Sequence, residues 1–390
     1  MNSTPVEPGS ILGVLGGGQL GAMFAAAASR LGFRAAVWDP DQAAPAHRLA
    51  AHSFAAPFTD ERTLEEFSRL VRVVTYEWEN VPAWLCEKLE RLVPVRPSSA
   101  ILRIIQNRRV QKTFLATHGF PVPRFAGLTD PDQLGQTVKA LGFPALCKTA
   151  TAGYDGKGQW RIGCEADVPE VQRSLRSSAQ SVSEWIVEAF VPFERELSIL
   201  IVRGIDGQSA VYPSVENEHE EGILRMTLVP AEVPSNVADR ARQLGQAVVE
   251  RMEGIGVFCL EFFQVPGGDL LINEMAPRPH NSGHYTLDAC SVSQFEQQAR
   301  AITGLPLGEV RLLGPAAMVN LIGEDATTIR SGTECRRMLA LPGAHLHLYG
   351  KRTIRPRRKM GHVTFLAEQG NVVRDRAVRF RDNLISEQQR

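Results

Sequence analysis

A short apolar run, Ile11 to Leu15, ends in Gly16-Gly17-Gly18 and passes at once into an alanine-rich segment, Ala22 to Leu31. A second strand-like run, Arg34 to Trp38, closes in Asp39-Pro40, and a third, Val71 to Tyr76, runs into Glu77-Trp78-Glu79-Asn80. Strand, glycine turn, helix and strand in that order open a doubly wound parallel sheet, so the first hundred residues are expected to be α/β. Three consecutive glycines let the backbone approach a ligand closely, and the helix behind them offers amide donors to an anion. Gly16, Gly18 and Gly21 also fall at GxGxxG spacing, with Asp39 where a ribose-binding acid would stand. Taken alone, the segment fits a dehydrogenase's dinucleotide site, another anion site, or a tight turn that holds nothing.

Beyond residue 106 the periodicity changes. A helix is expected over 107–118, broken by Gly119-Phe120-Pro121-Val122-Pro123. Strands follow at Phe143–Thr149 and Trp160–Ile162 around a glycine-rich loop, then at Ile186–Phe190 and Leu197–Val202. A helix over Val237–Met252 precedes a hairpin, Val257–Gln264 and Leu270–Glu274, joined through Pro266-Gly267-Gly268. The last eighty or so residues carry short strand-like runs at Ala317–Ile322, His345–Tyr349 and Val363–Ala367, which suggests a small β-rich cap. The whole is α/β, with α+β parts. At 390 residues it has room for two or three domains, each with its own core.

Lysine plus arginine and aspartate plus glutamate number 43 each, so the formal net charge is zero. That balance argues against a general nucleic-acid partner. No apolar run reaches membrane-spanning length, and the N-terminus lacks a basic segment followed by an apolar core. The six cysteines form no CxxC pair and several sit in apolar runs, so buried free thiols are expected. A cytoplasmic enzyme is the expectation.

Four segments carry chemistry. In LLINEMAPRPHNSGH, residues 270–284, a strand ends in Asn273-Glu274, followed by Arg278, His280, Asn281 and His284 between prolines and a glycine. Glu261 ends the preceding apolar run, so two carboxylates stand at matching ends of adjacent strands, where they can bridge a hard divalent cation. Arg278 can meet a phosphate-like group with a fixed fork of donors. Lys148 ends a strand beside the loop Gly153–Gly158; it can neutralise phosphate oxygens while the loop closes, or be an exposed lysine on a plain hairpin. Glu188-Ala189-Phe190-Val191 can offer backbone groups to an adenine edge, with Glu196 for ribose hydroxyls, or be an ordinary edge strand with solvated charges. KRTIRPRRK, residues 351–359, holds six basic residues and no acid, which in isolation reads as a nucleic-acid or membrane patch.

As an ordered set these segments resemble the ATP-grasp superfamily and, within it, the N5-carboxyaminoimidazole ribonucleotide synthase family. The supporting strings are GGGQLG at 16–21, TYEWENVP at 75–82, QNRRVQK at 106–112, GYDGKGQ at 153–159, VEAFVPFERELS at 187–198, INEMAPRPHNSGHYT at 272–286 and KMGHVT at 359–364. The resemblance implies ATP-dependent carboxylation of 5-aminoimidazole ribonucleotide with bicarbonate through carboxyphosphate, with Mg²⁺, or Mn²⁺ in its stead. It implies a Rossmann-like N-terminal domain over 1–106, an ATP-grasp domain over 107–310 with a lid at about 120–190, and a small C-terminal β-rich domain over 311–390, in a homodimer.

Carried over position by position, Arg108 and Lys148 contact ATP phosphates. Gly153, Tyr154, Asp155, Gly156, Lys157, Gly158 and Gln159 form the lid. Glu188, Ala189, Phe190 and Val191 frame adenine, Glu196 holds ribose, and His219 lies near the nucleotide. Glu261 and Glu274 bind the metal, with Asn273 beside them. Arg278, His280, Asn281 and Lys148 surround the activated carboxyl group, and His280 orients bicarbonate or shuttles a proton. Gln19, Leu20, Glu77, Glu79, Tyr154, Asp155, Lys351 and Arg358 shape the ribonucleotide site, and Arg352, Arg355 and Arg357 are solvated or structural.

Trp78 stands where this family's pattern has phenylalanine, which reads as a packing change. The tail after Arg374 matches nothing and is expected to lack order. Two alternatives stand beside this reading: another ATP-grasp ligase, especially a formate-dependent glycinamide ribonucleotide transformylase, and a non-catalytic nucleotide-binding protein.

Overall fold

The structure, a computed structural model, describes residues 5–151, 158–178, 182–323 and 325–388. The N-terminal strands β1 (Ile11–Leu15), β2 (Arg34–Trp38), β3 (His52–Phe54) and β4 (Val73–Tyr76) form a parallel sheet in the order β3-β2-β1-β4. β1 is apolar throughout because both its faces are covered. Ile11 and Leu15 face a core with Phe67 and Leu89, while Leu12 and Val14 face the helices Gln19–Arg30 and Gln294–Thr303.

The second sheet is antiparallel, built from β5 (Phe125–Leu128), β6 (Ala145–Thr149), β7 (Gln159–Ile162) and β8 (Trp185–Ala189) in the order β5-β8-β6-β7. The segment read as a candidate edge strand, β8, therefore lies inside its sheet.

The third sheet takes β9 (Arg195–Arg203), β10 (Ser209–Val211), β11 (Val215–Glu220), β12 (Ile223–Val229), β13 (Gly256–Gln264), β14 (Leu270–Ala276), β15 (Ala316–Ile322), β16 (Ala344–Leu348) and β17 (Lys359–Leu366). Its path is β14-β13-β9-β11-β12-β15-β17-β16, with β10 on β9. The C-terminal strands thus do not make a sheet of their own. β15 pairs with β12 and extends the sheet that carries the acidic hairpin.

Side-chain alternation sets which residues of this sheet meet solvent space. On β13, Phe258, Leu260 and Phe262 join Leu197, Ile199 and Ile201 of β9 under the helix Ser235–Arg251. Cys259, Glu261 and Phe263 therefore point the other way. The helix Gln294–Thr303 rivets the sheets together: Gln298 donates to Thr75 Oγ1 at 2.8 Å and accepts from the Val257 amide at 2.6 Å.

The tail departs from expectation. Residues Gly370–Gln388 form a helix, and Val373, Ala377 and Leu384 are buried against Met226, Leu321, Val363 and Phe365. Phe380 packs at the edge of that cluster, so apolar residues recur at spacings of four, three and four, one stripe of a helix. Four cysteines, Cys86, Cys147, Cys259 and Cys290, are buried free thiols as expected, whereas Cys164 is exposed. No helix among the described residues is long and apolar enough to cross a membrane.

Ala377 is fully buried, so Ala377→Asp places an unpaired carboxylate against the sheet and should cost at least about 3 kcal/mol of stability. Urea unfolding checks this. Arg379→Ala, on the exposed side of the same helix, should stay within about 0.5 kcal/mol of the parent.

Candidate active site

β13 and β14 pair so that Glu261 lies opposite Glu274, and the register shifts there: Phe262 pairs with Ile272, leaving Asn273 as the extra residue. A bulge re-aims side chains that strict alternation would send to opposite faces. Asn273 and Glu274 consequently both line one cavity of about 1140 Å³, together with Glu261. Burial pushes the Glu261 carboxyl up to about 8, and the facing Glu274 adds to the shift. Two opposed carboxylates with an amide oxygen beside them are a donor set suited to Mg²⁺ or another hard cation.

The strand that carries Glu274 is clamped from behind. In the helix Arg108–Thr117, buried Gln111 donates to the Met275 carbonyl at 3.3 Å and accepts from its amide at 3.1 Å. Buried Lys112 donates to the Ile272 carbonyl at 3.1 Å. Lys112 also lies 3.2 Å from Glu188, whose other oxygen accepts from Lys148 at 2.5 Å. Burial alone would raise the Glu188 carboxyl, but Lys148 and Lys112 overcome it and hold it down at about 2. The Glu188 carboxylate is therefore spent on fixing Lys148, which lines the cavity. Any adenine contact from residue 188 falls to its backbone.

Around this floor the cavity gathers most of the expected residues. Gln19, Leu20, Glu77 and Glu79 come from the ends of the N-terminal sheet; Arg108, Lys148, Gln159, Phe190, Glu196 and His219 come from the helix Arg108–Thr117 and from strands, or strand ends, of the two antiparallel sheets; Arg278, His280 and Asn281 follow β14; Lys351 and Arg358 come from the basic segment. Ala189, Val191 and Gly158 do not line it. Gly158 instead backs the strand of Lys148, accepting from the Thr149 amide at 2.9 Å. Gly153, Tyr154, Asp155, Gly156 and Lys157 lie outside the described residues.

Several of these groups have defined partners. His219 Nδ1 lies 2.6 Å from Glu196, whose carboxylate lifts the imidazole pKa although burial opposes it. Arg278 lines the cavity, is ion-paired with Glu79 and donates to the Pro279 carbonyl at 3.0 Å, while its buried Nε has no hydrogen-bond partner. Asn281 is bonded at both ends of its amide to Asn320 of β15, at 3.0 and 2.7 Å, so it braces the loop. Burial, then Arg278 and Lys359, hold His280 well below the ordinary histidine value. Its Nδ1 lies 2.9 Å from Ser282 Oγ and its Nε2 3.4 Å from Glu261. Burial thus favours the neutral imidazole, a form that can orient bicarbonate, the first of the two roles expected of this residue.

The glycine turn has its own anions. Gly17 donates to Asp39 at 2.6 Å, and Gly18 and Gly21 donate to the two oxygens of Glu77 at 2.6 and 2.9 Å. The amides a dinucleotide would need are already bound, which removes the dehydrogenase alternative. Glu77 borders the cavity with its carboxylate committed to the turn. Lys351 donates to the Lys359 carbonyl at 2.7 Å and Arg358 to the Thr353 carbonyl at 2.9 Å, so internal bonds shape the basic segment.

Sequence reasoning missed Lys359, Arg355 and Arg357 as lining residues and Lys112 and Gln111 as the clamp. Arg357 is also tied to Glu221 at 2.9 Å. Trp78, read as a packing change, is 48% exposed and faces the cavity.

Residues 10–106 match the ribonucleotide synthetase preATP-grasp domain, 113–295 the ATP-grasp domain, and 316–376 the phosphoribosylaminoimidazole carboxylase C-terminal domain. The N5-carboxyaminoimidazole ribonucleotide synthase of Bacillus subtilis is 37% identical over 368 residues, 94% of each chain. The chain belongs to the N5-carboxyaminoimidazole ribonucleotide synthase family.

The fold agrees. A synthetase of this family in complex with ADP superposes with a TM-score of 0.92 at 36% identity, covering 99% of both chains. The Aspergillus clavatus N5-carboxyaminoimidazole synthase, solved with ADP and 5-aminoimidazole ribonucleotide, gives 0.87 at 30% identity over 97% of this chain and 99% of that one.

The Glu188 ion triad makes a pH prediction for this family member. Between the unfolded value of 4.5 and about 2, the unfolded chain holds a proton on residue 188 that the folded chain does not. The stability Glu188 supplies is thus complete above about pH 5 and lost as pH falls. Glu188→Gln should be less stable at pH 7 by about 3 kcal/mol, and its deficit against the parent should shrink by pH 3. Denaturant midpoints at both pH values test this; a constant deficit would show the carboxylate is not held low.

Proposed function

We propose that this chain carboxylates the exocyclic amine of 5-aminoimidazole ribonucleotide with bicarbonate and ATP, giving N5-carboxyaminoimidazole ribonucleotide, ADP and phosphate for purine biosynthesis. The observation that carries the reading is convergence. A paired carboxylate site, a lysine locked by a buried acid, an arginine paired with Glu79 and a basic strand-to-strand segment open onto one cavity.

Bicarbonate is a poor electrophile because its carbon bears delocalised negative charge. Phosphorylation turns one of its oxygens into a leaving group. Phosphoryl transfer needs in-line positioning and charge neutralisation more than covalent help from the protein. Glu261 and Glu274, with Asn273 beside them, would hold Mg²⁺, which supplies charge neutralisation on the ATP phosphates when bound. Lys148 and Arg108 add positive charge along the phosphates. Glu196 takes the ribose hydroxyls, with His219 fixing its rotamer. Neutral His280 donates a hydrogen bond to bicarbonate, and Arg278 neutralises the carboxyphosphate.

The ribonucleotide enters between the N-terminal sheet and the basic segment. Lys351 and Arg358 grip its 5′-phosphate. Glu79 is drawn off Arg278 as the amine approaches, which leaves the guanidinium to the anion. The amine nitrogen then bonds to the carboxyl carbon, either of carboxyphosphate itself or of the CO₂ it releases; the bond from that carbon to the phosphate oxygen breaks, and the departing phosphate takes up the proton the amine loses. The homodimer implied by the family resemblance belongs to the same proposal, and light scattering tests it.

ADP release should require bicarbonate and aminoimidazole ribonucleotide together, and formate with glycinamide ribonucleotide should not replace them. Glu274→Gln should fold normally yet lose ATP turnover by at least about 100-fold. Near-normal turnover would remove the metal role. Lys351→Ala should raise the apparent KM for the ribonucleotide by about tenfold with little change for ATP, since an exposed charge-assisted phosphate contact is worth roughly 1.5 kcal/mol. Equal effects on both substrates would remove the phosphate grip.

A further inference from the structure

Away from the cavity, a second group of ligating side chains gathers where the short helix Thr286–Ala289 meets β16 and β17. His345 and His347 stand two residues apart on β16 and so share a face. Both reach Asp288: His347 Nε2 lies 2.9 Å from one carboxylate oxygen and His345 Nδ1 3.6 Å from the other. His362 of β17 is the cross-strand partner of His347, and the two rings stack with centroids 4.5 Å apart. One ligand atom from each of Asp288, His347 and His362 lies within 4.8 Å of the other two. None of the four residues lines the cavity described above.

A second observation points to a ligand. His362 is fully buried. Its Nδ1 is 2.9 Å from Tyr349 Oη, while its Nε2 has no hydrogen-bond partner. A buried polar atom left without a partner costs about 1–3 kcal/mol. A bond from one imidazole nitrogen to an outer group is also how metal-ligating histidines are oriented, leaving the other nitrogen to coordinate.

We propose that Asp288, His347 and His362, completed by His345 on the outer side, form a binding site for a divalent first-row transition cation of the Zn²⁺, Co²⁺ or Ni²⁺ kind. Imidazole nitrogens with one carboxylate suit these ions, whereas Mg²⁺ seeks oxygen ligands. The site is thereby chemically distinct from the paired glutamates. The two N···O separations bracket the edge of about 3.3 Å that a tetrahedron has when metal–ligand bonds are about 2.0–2.1 Å. Coordination requires His347 to turn out of its stack with His362, and its 30% exposed side chain has room to do so. Exposure of His345 and His347 provides the entry path. A bound ion would tie the segment just after the Asn281–Gly283 turn to the C-terminal strands.

The test uses the full-length protein and Co²⁺ as the probe, in excess Mg²⁺ so that the oxygen site is occupied. Equilibrium dialysis should give one Co²⁺ per chain. Its visible spectrum should show nitrogen and oxygen coordination without a thiolate charge-transfer band, which separates it from the Cys259, Glu261 and His280 cluster. His347→Gln should weaken binding by about 100-fold and His345→Gln by about tenfold, as expected for loss of a primary and an outlying ligand. His345 and His347 are partly exposed, so both variants should fold, with circular dichroism as the control. Co²⁺ should raise the unfolding midpoint of the parent and not of His347→Gln. Failure to bind Co²⁺ in excess Mg²⁺, a thiolate band, or unchanged affinity in both variants would overturn the proposal and leave Asp288 and its histidines as a structural ion-pair cluster.

Discussion

Everything at the site follows from one register: Glu261 opposite Glu274 on β13 and β14, with a bulge leaving Asn273 between them. Like charges facing each other in a poorly solvated cleft repel, and a fold seldom keeps such an arrangement for stability alone. The bulge presents Asn273 and Glu274 to the same space, where strict alternation would send one of them into the core. A one-residue slip would turn Glu261 into the core beside Leu197, Ile199 and Ile201 and bring Phe258, Leu260 and Phe262 to the cavity. The apolar face of β13, packed under the helix Ser235–Arg251, is thus what holds the acids in place. Gln111, bonded both ways to the Met275 backbone, fixes β14 against the same helix that carries Arg108 and Lys112.

The buried triad of Lys112, Glu188 and Lys148 shows why a lysine proposed to meet ATP phosphates needs a structural acid. A lysine end left free near three phosphates would sample many rotamers, and ordering it on binding would cost affinity. Glu188 fixes Lys148 in advance and is itself satisfied by a second, more deeply buried lysine. Removing either partner leaves an uncompensated charge in the interior, which is far more costly than the pair itself. Part of the local stability is therefore spent on preorganising a binding group.

The parallel opening of the sheet was legible from glycine spacing and strand ends, and the acidic hairpin from two apolar runs that stop at glutamates. Arg108, Lys148, Glu196 and Arg278 were reachable through their motifs. What stayed hidden depends on which surfaces meet. Lys112 and Gln111 carry no local sign that β14 covers their side of the helix Arg108–Thr117. The sequence leaves His280 to orient bicarbonate or to shuttle a proton; that burial, Arg278 and Lys359 favour its neutral form depends on contacts no local string reveals. The C-terminal strands look like a separate cap because pairing of β15 with β12 spans about ninety residues of intervening chain. The helix Gly370–Gln388 was readable after all: the stripe Val373, Ala377, Phe380 and Leu384 is helical, but its arginine-rich surroundings disguise it.

Merging the C-terminal strands into the central sheet has a mechanical consequence. Asn320 on β15 grips Asn281, so the turn that positions Arg278 and His280 is braced by the same sheet that presents the basic segment 351–359 through β17. Glu79, from the N-terminal sheet, closes the ring by pairing with Arg278. The N-terminal sheet and the nine-stranded sheet therefore meet at a single guanidinium whose charge can go to a carboxylate of the protein or to an anion in the cavity, but not fully to both. A substrate that attracts Glu79 shifts that balance toward the anion, and coupling between the proposed ribonucleotide and phosphate sites then requires only a side-chain exchange within a rigid frame.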